Sequence, residues 1–440
     1  MRHLLFLAST LLSAAPLLSQ QEACSYSPLH TPAAGAAPQL WGELEPSDHG
    51  VLPPDRDTTD FDQLGDFEPH PYWMSLDVEA GWVFAAANRR LQIWDARSSP
   101  SSPVRTFDRG FRDLGLTWTP DAHAFFIFED LDAPPGVDQV LALTGRYGVG
   151  LAVYDTSSKS SPQLHYQDHG NGRWGTSVWA TTIAGRHYAV LGANQTSAGG
   201  AFLYDLSQAQ LFSNCREDQP SQTRCPGVFL GRIGSRPRVA AVDGDGPFVA
   251  LASGTAPGGF EIWDLSQPSA PRRRMEALTT QPISSLALWG QGSVYYLAVR
   301  LTSALQVFDV TCVTSGNCTL GSPLASLALP ATGAGTLTFS RAGDATPFLF
   351  AGTTADCLTG LQHEWLWDVS SPTSPRDVTP PQTPIIRGRQ ISYWGWYYRD
   401  NDPHGFNHVA PRVGKLHGDH FYRAGLAIFD VHRWIAAPLP

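Results

Sequence analysis

Seven times along the chain, a short apolar run ends in an aspartate. The copies are LQIWD at Asp95, LAVYD at Asp155, AFLYD at Asp205, FEIWD at Asp264, LQVFD at Asp309, WLWD at Asp368 and LAIFD at Asp430. Successive aspartates stand 45 to 62 residues apart, room for four short strands and their turns. Each run is rich in β-branched and aromatic residues, as a buried strand requires. Upstream of the first six, the stretches GWVFAAAN, QVLALTG, HYAVLGAN, PFVALASG, VYYLAVR and PFLFAGT also read as strands. A unit this small cannot bury both faces of its own sheet, so the copies must pack on one another.

An aspartate at a strand end accepts backbone N–H groups from the following turn, and the serines behind it do so more weakly. Proline fixes φ and lacks an N–H, which only an outer strand or a strand's first residue tolerates. Pro103, Pro162, Pro226, Pro271, Pro323 and Pro375 are therefore each expected to lead an outer strand. After Asp430 too few residues remain for such a strand before Pro440. Near the other end, APQLWGEL at 37–44 resembles SPQLHYQD at 161–168, and Pro38 reads as the leader of the missing strand. The expected fold is all-β. It is a seven-bladed β-propeller of four-stranded antiparallel blades, closed by an N-terminal strand near 37–44 that completes the last blade. Closure leaves only short, protected edges, whereas an open solenoid would expose edge strands and two apolar end faces.

The phrases IWDLSQPSAP, around Asp264, and LWDVSSPTSP, around Asp368, resemble the LVIVD repeat of exported and cell-surface β-propeller proteins. The resemblance spans residues 37–435, two copies being close and the others partial. It implies a propeller and an extracellular or cell-surface setting. It implies no reaction, because propellers host many functions on one frame. WD40 repeats also end a strand in Trp-Asp, but the Gly-His partner they carry upstream is missing here.

Composition agrees with short strands and many turns: 42% of the 440 residues are apolar, with 41 Gly and 35 Pro. The formal charge of −10 gives no general electrostatic reason to bind nucleic acid or an acidic membrane. The opening MRHLLFLASTLLSAAPLLSQQEAC has a basic start and an apolar run from Leu4 to Leu18, too short to span a bilayer comfortably. It reads as a secretory signal peptide over 1–23, cut between Ser19 and Ala23. Residues 24–440 then form one propeller domain without a transmembrane segment, destined for the extracellular space, the cell surface or a periplasm.

Six cysteines follow the signal, and an even number in an oxidising compartment suggests disulfides. Cys215 with Cys225 and Cys312 with Cys318 would staple insertions in the Asp-to-Pro turns of two repeats. Cys24 and Cys357 are left for each other, although sequence alone does not fix that connectivity. A zinc site is the competing use of these residues, but no CxxC pair occurs.

Three stretches depart from the repeat. FRDLGLTW at 111–118 resembles the Asp-box of sialidases, with Phe111 in place of the hydroxyl residue. The Asp-box is itself a turn motif, and a sialidase would also need an arginine cluster and a tyrosine nucleophile paired with an acid. The segment 392–425 gathers Asp402, His404, His408, His417 and His420, ligand types suited to Zn, Mn or Fe. The preferred reading of this segment is an enlarged polar loop across the mouth of the ring, with a metal or catalytic cluster as the alternative. VDGDGP at 242–247 offers Asp243 and Asp245 to calcium, but it lacks the remaining oxygen ligands and reads as a hairpin turn. No G-x-S-x-G, P-loop or H-E-x-x-H occurs. NQT at Asn194 and NCT at Asn317 are glycosylation acceptors in a eukaryotic secretory pathway.

These readings converge on a secreted or surface-exposed, non-enzymatic propeller serving as a binding or structural module. The expected partner is an extracellular protein or glycan, with no cofactor and no nucleic acid. Loops held by stapled sheets carry such a function, and Trp and Arg are favoured anchors. His169, Arg173, Trp174, Arg387 and Arg389 are the candidate partner surface. The alternative is an exported hydrolase or metal-dependent enzyme with its site in 392–425.

Overall fold

Alternating and continuous apolar runs become strands, and Ala-Gly dipeptides turn two of the first hairpins. Ala80 and Gly81 have φ of 46° and 79°, Ala184 and Gly185 of 49° and 74°. Such positive pairs match the twist of a two-residue hairpin. The computed structural model describes residues 63–66, most of 73–378, and the strands at 414–417, 420–423 and 427–430.

Strand β1 is Gln63–Asp66, and six blades follow in chain order. Blade 1 is β2 (Trp73–Glu79), β3 (Trp82–Ala87), β4 (Arg90–Asp95) and β5 (Val104–Gly110). Blade 2 is β6 (Asp121–Phe128), β7 (Val140–Arg146), β8 (Leu151–Asp155) and β9 (Gln163–Asp168). Blade 3 is β10 (Gly175–Ile183), β11 (Arg186–Ala193), β12 (Gly200–Asp205) and β14 (Phe229–Ile233), with β13 (Cys215–Glu217) in an insertion before its outer strand. Blade 4 is β15 (Val239–Asp245), β16 (Phe248–Ser253), β17 (Gly258–Asp264) and β18 (Arg272–Thr279). Blade 5 is β19 (Ser285–Gln291), β20 (Val294–Arg300), β21 (Ala304–Asp309) and β22 (Ala325–Ala328). Blade 6 is β23 (Gly335–Arg341), β24 (Pro347–Thr353), β25 (Glu364–Asp368) and β26 (Arg376–Asp377). The outer strands of blades 1, 2, 4 and 6 begin immediately after Pro103, Pro162, Pro271 and Pro375, where a missing N–H is harmless.

The expected ring of seven like blades needs correction. Among the described residues six blades, not seven, are built from consecutive strands of one repeat. Among the described residues the Asp430 repeat supplies β27 (Gly414–His417), β28 (His420–Arg423) and β29 (Ala427–Asp430), which share a composite sheet with β1. The closing strand expected at 37–44 is not what pairs there. Those residues lie outside the described ones, and β29 is bordered by Gln63–Asp66. This short strand has no leading proline and shifts register between Gln63 and Gly65, so it lacks the signature of the other outer strands. Within the composite sheet, β27 lies against β23 on one side and β2 on the other. The blades are not uniformly four-stranded and antiparallel either. The strand β13 pairs in parallel with β9 and makes blade 2 five-stranded.

The core lies between blades, so each middle strand is apolar on both faces. In β16 every residue is buried: Phe248, Ala250 and Ala252 pack toward Phe260 and blade 5 residues Leu286, Leu297 and Val299. Val249 and Leu251, alternating with them, pack toward Trp179, Val190 and Leu203 of blade 3. Burying each such side chain stabilises by about 1.5–3 kcal/mol. The same two-sided burial explains why these runs read as continuously apolar and not as alternating.

The repeat aspartate has two tasks. One oxygen closes the turn: Oδ1 accepts from the N–H of Arg97 in Asp95, of Ser157 in Asp155, of Ser266 in Asp264, of Thr311 in Asp309 and of Ser370 in Asp368, at 2.7–3.0 Å. Asp205 instead caps the single helical turn Leu206–Ala209 through the N–H of Gln208. The second oxygen pairs with a guanidinium in four repeats, Arg97, Arg186, Arg274 and Arg376 with Asp95, Asp205, Asp264 and Asp368, and in a fifth Asp155 faces the His165 imidazole.

Both sequence-adjacent disulfides form, Cys215–Cys225 and Cys312–Cys318. Each staples an insertion that folds back on the preceding blade. The blade 3 insertion adds β13 to β9, with Cys215, Arg216 and Glu217 beside Tyr166, Gln167 and Asp168. The blade 5 insertion donates Cys318 N–H to the Arg274 carbonyl on β18, at 3.1 Å. Cys24 and Cys357 lie outside the described residues.

Asp264 tests the aspartate's charge. Burial pushes its carboxyl up, but the Ser266 and Arg274 hydrogen bonds outweigh burial and hold it below the ordinary 3.8. A lowered folded value contributes stability that is present above the unfolded value and lost as pH falls through the folded one. Asp264→Asn keeps the capping oxygen and should cost about 1–2 kcal/mol at pH 7. In urea titrations, its gap from the parent should close as pH falls through 3.8 and below; a gap constant down to pH 2 would show that charge is irrelevant there.

Candidate binding face

Within each blade the first and third strands run the same way, so the first hairpins and the aspartate turns share one face. The opposite face carries the loops between second and third strands and those that lead from an outer strand to the next blade. It is the face on which His169, Arg173 and Trp174 were expected, and their loop, 169–174, links β9 to β10.

Buried ionisable side chains brace the strand ends and blade-to-blade connections bordering this face. Asp168, the last residue of β9, is 1% exposed, and its Oδ2 accepts from Tyr204 Oη at 2.9 Å. Its carbonyl accepts from the Gly150 N–H at 3.0 Å, and a Cβ at Gly150 would stand only 2.9 Å from that oxygen. Two residues earlier on the same strand, Tyr166 donates to Glu217 Oε2 at 3.2 Å, joining β9 to β13. The take-off point of the 169–174 loop is therefore fixed from three directions.

Glu261, in the middle of β17, is fully buried. Its carboxylate accepts from the Ser235 N–H, from Ser235 Oγ and from Trp263 Nε1 at 2.9 Å, with Arg273 at 3.5 Å. It thereby holds the connection from blade 3 to blade 4. Arg300, at the end of β20, is also fully buried and donates through Nη1 to the Gly352 carbonyl of blade 6 at 2.7 Å. Burial lowers its guanidinium to about 10. Its own carbonyl accepts from the Ser284 N–H, which ties down the connection from blade 4 to blade 5.

The first strands are stitched by side chains where they approach without a backbone ladder. Ser177 Oγ donates to the Val242 carbonyl and accepts from its N–H, joining β10 to β15. Asp243 and Asp245, weighed as calcium ligands, accept from the Leu288 and Gly290 N–H groups of β19. Ser285 Oγ accepts from the Leu337 N–H of β23 at 2.9 Å. The VDGDGP stretch is accordingly a strand and hairpin turn whose carboxylates serve the next blade.

His169, Arg173, Trp174, Arg387, Arg389, Asp402, His404 and His408 lie outside the described residues. His417 and His420 oppose each other as a register pair at the β27–β28 hairpin. Among the described residues, no three His, Cys, Asp or Glu side chains group as a metal site. The Asp-box stretch places Asp113 and Leu114 in a turn closed on the Gly110 carbonyl, with Leu116 buried. Sequence reasoning missed Glu261, Arg300 and Asp168. Glu261 left a trace: it stands three residues before its aspartate, as Gln92 and Gln306 do in their copies, a polar residue inside an apolar run.

No protein-family model and no curated protein matches the chain. Solved structures with a similar path include "Structure of Dos1 propeller", at 14% identity and TM-score 0.44, covering 70% of this chain and 69% of that one. Another is "Crystal structure of BBS1N in complex with ARL6DN, soaked with mercury", at 9% identity and TM-score 0.43, covering 64% and 74%. The assignment of an all-β propeller rests on the sheet order itself. No described helix is long and apolar enough to cross a membrane.

Glu261→Ala strips acceptors from a buried hydroxyl, an indole and a backbone N–H. It should lower stability by about 2–3 kcal/mol, read from the urea midpoint at unchanged slope. A loss within about 0.5 kcal/mol, the size expected of an indifferent surface change, would show that the carboxylate does not hold the 234–238 connection.

Proposed function

We propose that the chain is a secreted or surface-exposed, non-enzymatic propeller that binds an extracellular protein or glycan through its loop face. The observation that carries this reading is the fixed take-off of the 169–174 loop at Asp168, buried and held by Tyr204, Gly150 and the neighbouring β13. A rigid frame lowers the entropy lost when a loop docks. Trp174 offers a large apolar surface and Arg173 a planar cation, the residue types that anchor interfaces. Arg387 and Arg389, in the stretch between β26 and β27, are the further anchor candidates of this reading. The two disulfides agree with an oxidising compartment.

Screening the purified chain against arrayed extracellular proteins and glycans, beside Arg173→Ala/Trp174→Ala and Arg387→Ala/Arg389→Ala variants, tests the reading. A specific binder should lose at least about tenfold in affinity on the first pair, two anchor residues being worth well over 1.4 kcal/mol, at unchanged melting temperature. A binder indifferent to both pairs would place the function elsewhere on the molecule.

A further inference from the structure

The repeat aspartate of blade 2 faces an imidazole where four others face a guanidinium. In blade 4, the extra residue of a bulge in β18 is Arg274, lying between the register pairs Trp263–Arg273 and Ile262–Met275, and it reaches Asp264 Oδ2. In blade 2 the same place, between Tyr154–Leu164 and Val153–Tyr166, holds His165. Its Nε2 lies 3.8 Å from Asp155 Oδ2. Arginine stays charged at every pH a protein meets, whereas imidazole changes charge between about pH 5 and 8.

His165 has a second contact, to the insertion of the next blade. Its Nδ1 is 2.5 Å from the Phe212 carbonyl oxygen. A carbonyl only accepts, so Nδ1 carries a hydrogen, and in the neutral ring Nε2 is a bare acceptor. That nitrogen is buried without a hydrogen-bond partner among the described residues, and the group it faces is a carboxylate. Protonation turns both nitrogens into donors, one toward Phe212 and one toward Asp155. The other charged groups nearby are engaged elsewhere. Lys159, on the same turn as Asp155, donates to the Thr156 carbonyl and sits over the Trp82 ring. On β13, Glu217 accepts from Tyr166, and Arg216 lies beside Gln167.

We propose that His165 is a proton-operated latch, holding the blade 3 insertion and its strand β13 more tightly on the outer edge of blade 2 in acid than at neutral pH. Nε2 can donate to the Asp155 carboxylate only while the ring carries a second proton, so this contact belongs to the protonated imidazole and is missing from the neutral one. Loosening β13 uncovers the backbone edge of β9, the kind of edge to which another strand can add. The Cys215–Cys225 disulfide keeps the released segment tethered.

Hydrogen exchange of the full, oxidised chain tests this at about pH 5.5 and about pH 8, the limits of imidazole titration. Rates are corrected for intrinsic exchange, and β22 serves as the internal control. Protection of residues 212–217 should be about two- to fivefold greater at the lower pH, the size of a partly exposed ion pair. His165→Arg should make that protection independent of pH, and Asp155→Asn, which keeps a capping oxygen, should abolish the gain. Equal protection at both pH values in the parent chain overturns the latch, as does a gain that persists in either variant.

Discussion

The carboxylate that ends each third strand is the contact on which the blade plan depends. One oxygen must close the turn that sends the chain into the outer strand, and the other is left facing a basic side chain. Five of the six described repeats fill that second place, four with arginine and one with histidine. The proline behind the turn can then start an outer strand with no N–H to lose. The phrase is a mechanical unit, and its recurrence reflects six solutions of one folding problem.

Packing between blades rests on a second constraint. Neighbouring first strands splay apart, so backbone ladders cannot join them, and hydroxyl and carboxylate groups do so instead. Ser177, Asp243, Asp245 and Ser285 each engage a backbone group of the adjoining blade. Farther out, the middle strands bury both faces, as Val249 and Phe248 show on opposite sides of β16. Polar stitching near the centre and apolar packing outside it act on the same pairs of blades.

Much of this was legible because the signals were local. Asp turns, prolines heading outer strands and nearby cysteines depend on residues a few positions apart, and the structure places them together. The closing strand was misplaced because 37–44 carries the outer-strand phrase of 161–168, whereas Gln63–Asp66 carries none. The extra strand β13 was invisible for another reason: three residues, Cys215–Glu217, pair in parallel with a different blade, and no periodicity extends over so short a run. Glu261 and Arg300 act across blades, on partners that are 26 and 52 residues away in the chain. A single sequence shows a buried charge at most as an interruption in an apolar run.

The two stapled insertions both reach backwards, from blade 3 onto blade 2 and from blade 5 onto blade 4. Their grip couples blade 2 to blade 3 and blade 4 to blade 5, while the boundaries between blades 1 and 2, 3 and 4, and 5 and 6 have no such strap among the described residues. Under tension or limited proteolysis a molecule fastened in this way should part at its unstrapped boundaries and keep blades 2 and 3, and blades 4 and 5, together as doublets. For those four blades the mechanical unit is then about twice the length of the sequence repeat.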